Sequence, residues 1–181
     1  ITAELARTKT PGAQVAVVVD GKLAYAKGYG VADIESGRPV TTQTLFRVGS
    51  VTKMVSAATL TQLAADGKLD LQAPVGTYVT EIKGKKVADG STHQLLTHTA
   101  GWLDNAVAYG RMGEGALGEV FREIGDTLFF TQPGRVISYS NPGYSMAGYV
   151  AERAGGARFA TLTEQLVLRK SGMQYSTFKP L

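Results

Sequence analysis

The chain has 181 residues, of which 44% are hydrophobic, and these proportions suit one ordinary core, or one domain with part of a second. The absence of cysteine excludes a disulfide scaffold, a thiol nucleophile and a thiolate zinc site. The formal charge is +4, but the lysines and arginines are scattered along the sequence, so nucleic acid is not an expected partner.

The first predicted elements are a helix over residues 1–8, stopped by Pro11-Gly12, and a β-hairpin. Apolar runs at 14–19 and 23–30 flank Asp20-Gly21, a dipeptide typical of a two-residue hairpin turn. A polar, turn-rich loop follows over 31–44. Because a lone hairpin is marginal in stability, we expect either that helices cover it or that further strands belong to chain that is absent here.

After the hairpin the sequence predicts helices and loops. A helix that begins near Ser50 ends at Asp66-Gly67, where glycine suits a C-cap. Further helices are predicted at 92–96 with Thr92 as cap, at 117–124, at 142–154 with proline in the first position, and at 158–168. Polar turns are expected at 97–102 and at Pro133-Gly134.

Ser50 and Lys53 open the uncharged helix that runs to Ala65. Three residues apart on a helix, their side chains are neighbours on one face. A cation in the first turn opposes the helix dipole, and the next twelve residues carry no charge, so we expect Lys53 to be buried. Burial favours the neutral amine and suits it to act as a general base. The alternative is that Ser50 only caps the helix and that Lys53 is solvated.

Tyr139 and Asn141 lie between the Pro133-Gly134 turn and the next predicted helix. In an extended segment, side chains two residues apart point the same way, so a phenol and an amide are expected to face one cleft. The alternative is that Asn141 caps the helix and that Tyr139 is a half-buried aromatic residue with a satisfied hydroxyl.

Together these clusters resemble the first two active-site motifs, S-x-x-K and Y-x-N, of the serine β-lactamase and penicillin-binding-protein superfamily. The flanks at 45–49, 93–101 and 132–134 are similar to the branch that holds class C β-lactamases, D-alanyl-D-alanine carboxypeptidases and family VIII-type esterases. The resemblance covers nearly the whole chain. It implies an α+β, β-lactamase/transpeptidase-like fold, in which an antiparallel sheet packs with helices beside a mainly helical region.

Carried to these positions, the resemblance implies that Ser50 is the acylated nucleophile and that Lys53 takes its proton. Tyr139 would relay protons to and from the leaving group and the deacylating water, helped by a cation that lowers its pKa. Asn141 would bind the substrate amide or hold Lys53. One oxyanion donor would be the backbone N–H of Ser50.

The two histidines do not suggest a metal site, because no acidic residue stands at a matching spacing from His93 and His98. The resemblance implies a structural turn around His98. A triad of His98 and Asp104 with a serine is set aside, since no G-x-S-x-G elbow is found. No metal or cofactor is expected.

The sequence departs from the family because no K-T-G or H-x-G motif follows Tyr139. The chain therefore resembles the N-terminal half to two-thirds of such an enzyme. We expect residues 1–49 to start the sheet domain, residues 50–181 to form the nucleophile helix and mainly helical domain, and the C-terminal strands to be missing. A separate complementing chain is the expected partner, and the fragment alone is expected to be inactive.

The expected function is a serine hydrolase acting on a small or peptide-like ester or amide, as a carboxylesterase or D-alanyl-D-alanine carboxypeptidase-like enzyme. Class C β-lactamases more often carry alanine in the middle of this motif, so by resemblance Ser140 weakly disfavours a dedicated β-lactamase, although β-lactams stay expected acylating ligands. A non-catalytic penicillin-binding or sensor module is the contrasting hypothesis. The family suggests a periplasmic or secreted location, with a cytoplasmic one left open.

Overall fold

A computed structural model describes residues 1–104, 113, 115–123 and 126–178. The chain divides into two compact units, Ile1–Arg47 and Val48–Leu181. Their boundary lies close to that expected between residues 49 and 50, and the assignment of these units as parts of a sheet domain and a helical domain stays a prediction.

The first unit contains a short helix and a hairpin. Helix α1 spans Thr2–Thr8, and its C-cap residue, Lys9, lies two residues before the proline that was expected to stop the helix. Strands β1 (Gly12–Val19) and β2 (Lys22–Gly30) pair antiparallel. Asp20 and Gly21 join them with φ angles of 49° and 72°, as a two-residue turn with positive φ at both positions requires. The hairpin prediction is confirmed.

The described part of the second unit contains α-helices and short helical turns joined by loops. The α-helices are α2 (Thr52–Ala65), α3 (Thr92–Leu96), α4 (Ala116–Glu123), α5 (Asn141–Gly155) and α6 (Phe159–Thr163). A π-helical segment, Glu164–Leu168, continues α6. The 3-10 turns are Gly49–Val51, Val75–Thr77, Thr80–Ile82, Lys86–Ala88 and Asp126–Leu128.

Helix α5 is the centre of this unit and contacts α2, α3, α4 and α6. Its neighbours bury a continuous apolar core, in which Trp102, Phe121, Leu60 and Met146 are almost fully inaccessible. Burial on this scale supplies the main stabilising free energy of a helical unit. The core therefore fixes α2 and α5 against each other, and these are the helices that begin at the predicted site.

Two predicted helix starts are corrected. Ser91, not Thr92, caps α3: its hydroxyl accepts from the N–H of Gln94, whose side chain accepts in return from the N–H of Ser91. Ser140 caps α5 by accepting from the N–H of Gly143. Asn141 is consequently the first helical residue and Pro142 the second, which corrects both the alternative of an Asn141 cap and the placement of proline in the first position.

Two further helices differ from prediction at their ends. The helix predicted at 117–124 is observed as Ala116–Glu123, and residue 124 lies outside the described residues. The helix predicted at 158–168 changes to π-helical geometry after Thr163. None of the described helices combines the length and apolarity needed to cross a membrane.

Candidate active site

Ser50 lies in the middle of the 3-10 turn that leads directly into α2. The cap position of α2 is Val51, which makes no side-chain capping bond, so the alternative that Ser50 only caps the helix is wrong. Gly49 before it has a φ of 52°, a conformation that glycine adopts without strain. The side chain of Ser50 is exposed and therefore open to a substrate.

Lys53, in the first turn of α2, faces Ser50 as the spacing predicts. Its Nζ donates to Ser50 Oγ at 3.3 Å and to Asn141 Oδ1 at 2.6 Å. The same atom lies 4.7 Å from the ring centroid of Tyr139 and 5.3 Å from that of Tyr144. Lys53 is only half-buried, so the expectation of a buried lysine is corrected: its side chain lines an open cleft, which leaves part of it accessible.

Tyr139 approaches the same hydroxyl from the loop before α5. Its Oη lies 2.6 Å from Ser50 Oγ, and 46% of the residue is exposed. The hydrogen bond to Lys53 is the largest cause that lowers the pKa of Tyr139 below its ordinary value, followed by the hydrogen bond to Ser50. The charge of Asp104 opposes this shift. The site therefore stabilises the phenolate of Tyr139 more than water stabilises that of free tyrosine.

Hydrogen bonds and a ring contact from the turn at residues 98–104 hold the Tyr139–Asn141 segment in place. His98 Nδ1 accepts from the N–H of Ser140 at 3.1 Å, and the His98 ring lies 4.5 Å from that of Tyr139. Desolvation is the main cause that lowers the pKa of His98, and the charge of Lys53 adds to it while Asp104 opposes it. His98, at a φ of 59°, thus forms part of a structural turn, in the role the family resemblance implied.

Asp104 is bound to Asn141 by both carboxylate oxygens. Its Oδ1 accepts from the backbone N–H of Asn141 at 2.9 Å, and its Oδ2 accepts from Asn141 Nδ2 at 3.3 Å. These contacts extend the network from Ser50 through Lys53 and Asn141 to a carboxylate. Asp104 therefore reaches the site through Asn141, and its described hydrogen bonds do not join it to His98 as a triad would require.

A cleft of about 440 Å³ opens beside Ser50, Lys53 and Asn141. Its walls also carry the hydroxyls of Ser56 and Ser145 and the apolar side chains of Leu117, Phe159 and Phe178. Among the described residues, no group of three or more His, Cys, Asp or Glu side chains is arranged to hold a metal ion.

The structure thus gathers all four predicted residues, Ser50, Lys53, Tyr139 and Asn141, into one hydrogen-bonded cluster. The sequence analysis missed Tyr144 and the role of Asp104. Tyr144 lies three residues after Asn141 on α5, and that helical spacing is a signal that could have found it. Asp104 is 37 residues from its partner, and no local pattern marks it.

A sequence model of the Beta-lactamase family matches residues 1–181. The chain belongs to this family. It is 35% identical to Esterase EstB of Burkholderia gladioli over 90% of this chain and 46% of the relative. The chain spans about half the length of the curated relatives it matches. Membership of the β-lactamase family supports a serine hydrolase-like function.

Two solved structures of β-lactamase relatives match the fold. A class C β-lactamase mutant superposes with a TM-score of 0.85 at 28% identity, over 99% of this chain and 49% of that chain. The D-alanine carboxypeptidase AmpC from Burkholderia cenocepacia superposes with a TM-score of 0.77 at 32% identity, over 94% and 46%. The expected fold class and resemblance are confirmed. The expected separate complementing chain finds no support in these relatives.

Proposed function

We propose that the protein is a serine hydrolase that forms an acyl-enzyme on Ser50 from ester or amide substrates, as a carboxylesterase or a D-alanyl-D-alanine carboxypeptidase-like enzyme. The observation that carries this proposal is the position of one exposed hydroxyl, Ser50 Oγ, within hydrogen-bond distance of both Lys53 Nζ and Tyr139 Oη. A serine hydroxyl is a weak nucleophile, and neighbouring basic groups activate it.

In the acylation step, Ser50 Oγ attacks the substrate carbonyl carbon and its proton passes to Tyr139, either directly or by way of Lys53. The new bond joins Oγ to the carbonyl carbon, and the bond from that carbon to the leaving alcohol or amine breaks. Tyr139 returns a proton to the leaving group, a role supported by its lowered pKa and its 2.6 Å contact with Ser50. Asn141 keeps Lys53 in place through its 2.6 Å hydrogen bond.

In the deacylation step, water attacks the same carbon while Tyr139 accepts its proton, and Tyr139 returns that proton to Ser50 Oγ as the bond from Oγ to the carbon breaks. Both steps develop negative charge on the carbonyl oxygen. The backbone N–H of Ser50, at the entrance to α2, is our candidate for one oxyanion donor, because the N-terminal end of a helix carries partial positive charge.

A β-lactamase is the second candidate. The superposition on a class C β-lactamase with a TM-score of 0.85 supports it, and Esterase EstB supports the esterase. The two candidates share the acyl-enzyme and differ in how fast water removes it. A stable penicilloyl adduct combined with rapid ester turnover would favour the esterase, whereas rapid hydrolysis of the β-lactam would favour the β-lactamase.

The deciding experiment is intact mass spectrometry with site mapping on the protein as the cell produces it, after exposure to a p-nitrophenyl ester and to a fluorescent penicillin. We expect one acyl group on Ser50 and none on the Ser50→Ala variant. An adduct on another residue would refute the mechanism. Ester binding without any adduct would support the alternative of a non-catalytic binding module. Inactivity of residues 1–181 alone and a periplasmic or secreted location stay predictions.

A further inference from the structure

The contacts of Asp104 distinguish the nitrogen end from the oxygen end of the Asn141 side-chain amide. A carboxylate only accepts hydrogen bonds, so Asp104 Oδ2 requires the Nδ2 amino group of Asn141, 3.3 Å away, to face it. The amide oxygen is then turned to the opposite side, where Lys53 Nζ donates to it at 2.6 Å. The two contacts support the same orientation of the amide.

We propose that Asp104 is a positioning residue that fixes the side-chain amide of Asn141 with its oxygen toward Lys53. This inference rests on the proposed function, since it concerns how Lys53, which is hydrogen-bonded to Ser50 Oγ, is held. A rotation of the amide by half a turn would place the amino group against the lysine amine. Two donors would then face each other, and Lys53 would lose its shortest hydrogen bond.

Other contacts hold the surrounding loop without help from Asp104. The N–H of Ser138 donates to His98 O at 2.8 Å, and the N–H of Ser140 donates to His98 Nδ1 at 3.1 Å. Ser140 Oγ also donates to Leu103 O at 3.2 Å. These contacts hold residues 138–140 without Asp104, which adds a hydrogen bond to the backbone N–H of Asn141 and a second one to its side-chain amide.

The substitution Asp104→Asn tests this role with almost no change in volume. The introduced amide can still accept from the backbone N–H of Asn141 through its oxygen, but its amino group then faces Asn141 Nδ2. Asn141 must rotate its amide to regain a hydrogen bond. We expect the acylation rate constant of Ser50 to fall about ten- to a hundredfold, the effect of losing one hydrogen bond to a charged group.

The matched control is Ser138→Ala, which removes the 3.4 Å hydrogen bond from Ser138 Oγ to Trp102 O in the same loop. It should acylate within about twofold of the wild type, because it leaves the Asn141 amide untouched. Melting temperatures of both variants are measured alongside, since a merely structural role would lower the melting temperature of Asp104→Asn without a specific slowing of acylation.

A double-mutant cycle with Asn141→Asp supplies the second readout. Both side-chain oxygens of the introduced carboxylate accept, so orientation no longer matters and Asp104→Asn should cause no further slowing in that background. Intact mass spectrometry over hours measures the slow variants. Equal slowing in both backgrounds, or wild-type acylation by Asp104→Asn, would overturn the inference. Absence of any adduct on wild-type Ser50 would instead refute the proposed function.

Discussion

Lys53 Nζ lies closer to Asn141 Oδ1, at 2.6 Å, than to Ser50 Oγ, at 3.3 Å. A hydrogen bond to an ammonium is strongest below about 2.9 Å, so Asn141 is the main anchor of the lysine. The nearest polar neighbour of the Ser50 hydroxyl is instead Tyr139 Oη at 2.6 Å. In this arrangement the phenol is the group best placed to exchange a proton with Ser50, and the lysine supports it with positive charge.

Removal of the phenol oxygen should therefore have a large kinetic effect. We predict that Tyr139→Phe slows acylation of Ser50 by about a hundredfold or more, as expected for loss of a general acid or base. The control is Tyr144→Phe. Its ring also lies near Lys53, but its hydroxyl donates to Leu96 O, away from Ser50. Stopped-flow measurement with a chromogenic ester compares the two, and an equal loss in both variants would contradict the role of Tyr139.

The ionisation of Tyr139 should depend on Lys53. The pKa of Tyr139 is lowered mainly by its hydrogen bond to Lys53, so phenolate forms at a lower pH than in free tyrosine. We predict that Lys53→Met raises the pKa of Tyr139. The ultraviolet absorbance of each protein is measured across a range of pH, and that of its Tyr139→Phe counterpart is subtracted. The difference reports the titration of the Tyr139 phenol alone. A Tyr139 titration that stays in place when Lys53 is replaced would contradict the electrostatic argument.

The parts of the fold that the sequence predicts well have local causes. Asp20-Gly21 sets the hairpin turn because both residues tolerate positive φ. The spacings of Ser50 with Lys53 and of Tyr139 with Asn141 put each pair on one side of its segment, and the structure brings the pairs together. These patterns depend only on residues that are close in sequence.

The features that were missed depend on tertiary contacts or on competing caps. Ser91 and Gln94 form a capping box that the sequence already contained, and it outcompetes Thr92 because both of its hydrogen bonds are made. The partial exposure of Lys53 and the contacts of Asp104 follow from how α2, α5 and the 98–104 turn meet. Sequence periodicity carries no information on such long-range geometry.

The stability of the protein should respond to pH through His98. The pKa of His98 lies below its ordinary value of 6.5, so between these two values the unfolded chain binds more protons than the folded one. Stability therefore rises with pH across that window and falls as the pH drops through it. Lys53 and Asp104 are the charged groups that act on this ring, with opposite signs.

We predict that His98→Asn makes the dependence of melting temperature on pH shallower on the acidic side. Asparagine tolerates the φ of 59° at this position, and its amide oxygen can replace Nδ1 as acceptor for the N–H of Ser140. Melting temperatures across about pH 5 to 8, the range in which histidine titrates, provide the measurement. An unchanged slope would mean that His98 does not supply the linkage.

Gly101 should be a position of the 98–104 turn that tolerates a side chain poorly. Its φ is 74°, and a Cβ atom there would lie 2.0 Å from Thr131 O. Gly67, after α2, has a φ of 70° with no atom within 4 Å of such a Cβ, and it is the matched control.

We predict that Gly67→Ala lowers the free energy of unfolding by about 1 kcal/mol from backbone strain, and that Gly101→Ala lowers it by about 3 kcal/mol because a steric clash is added. Urea unfolding measures both. Equal losses would show that the contact with Thr131 relaxes at no cost, whereas a larger loss at Gly101, accompanied by slower acylation of Ser50, would link the geometry of the turn to the position of Tyr139 and Asn141.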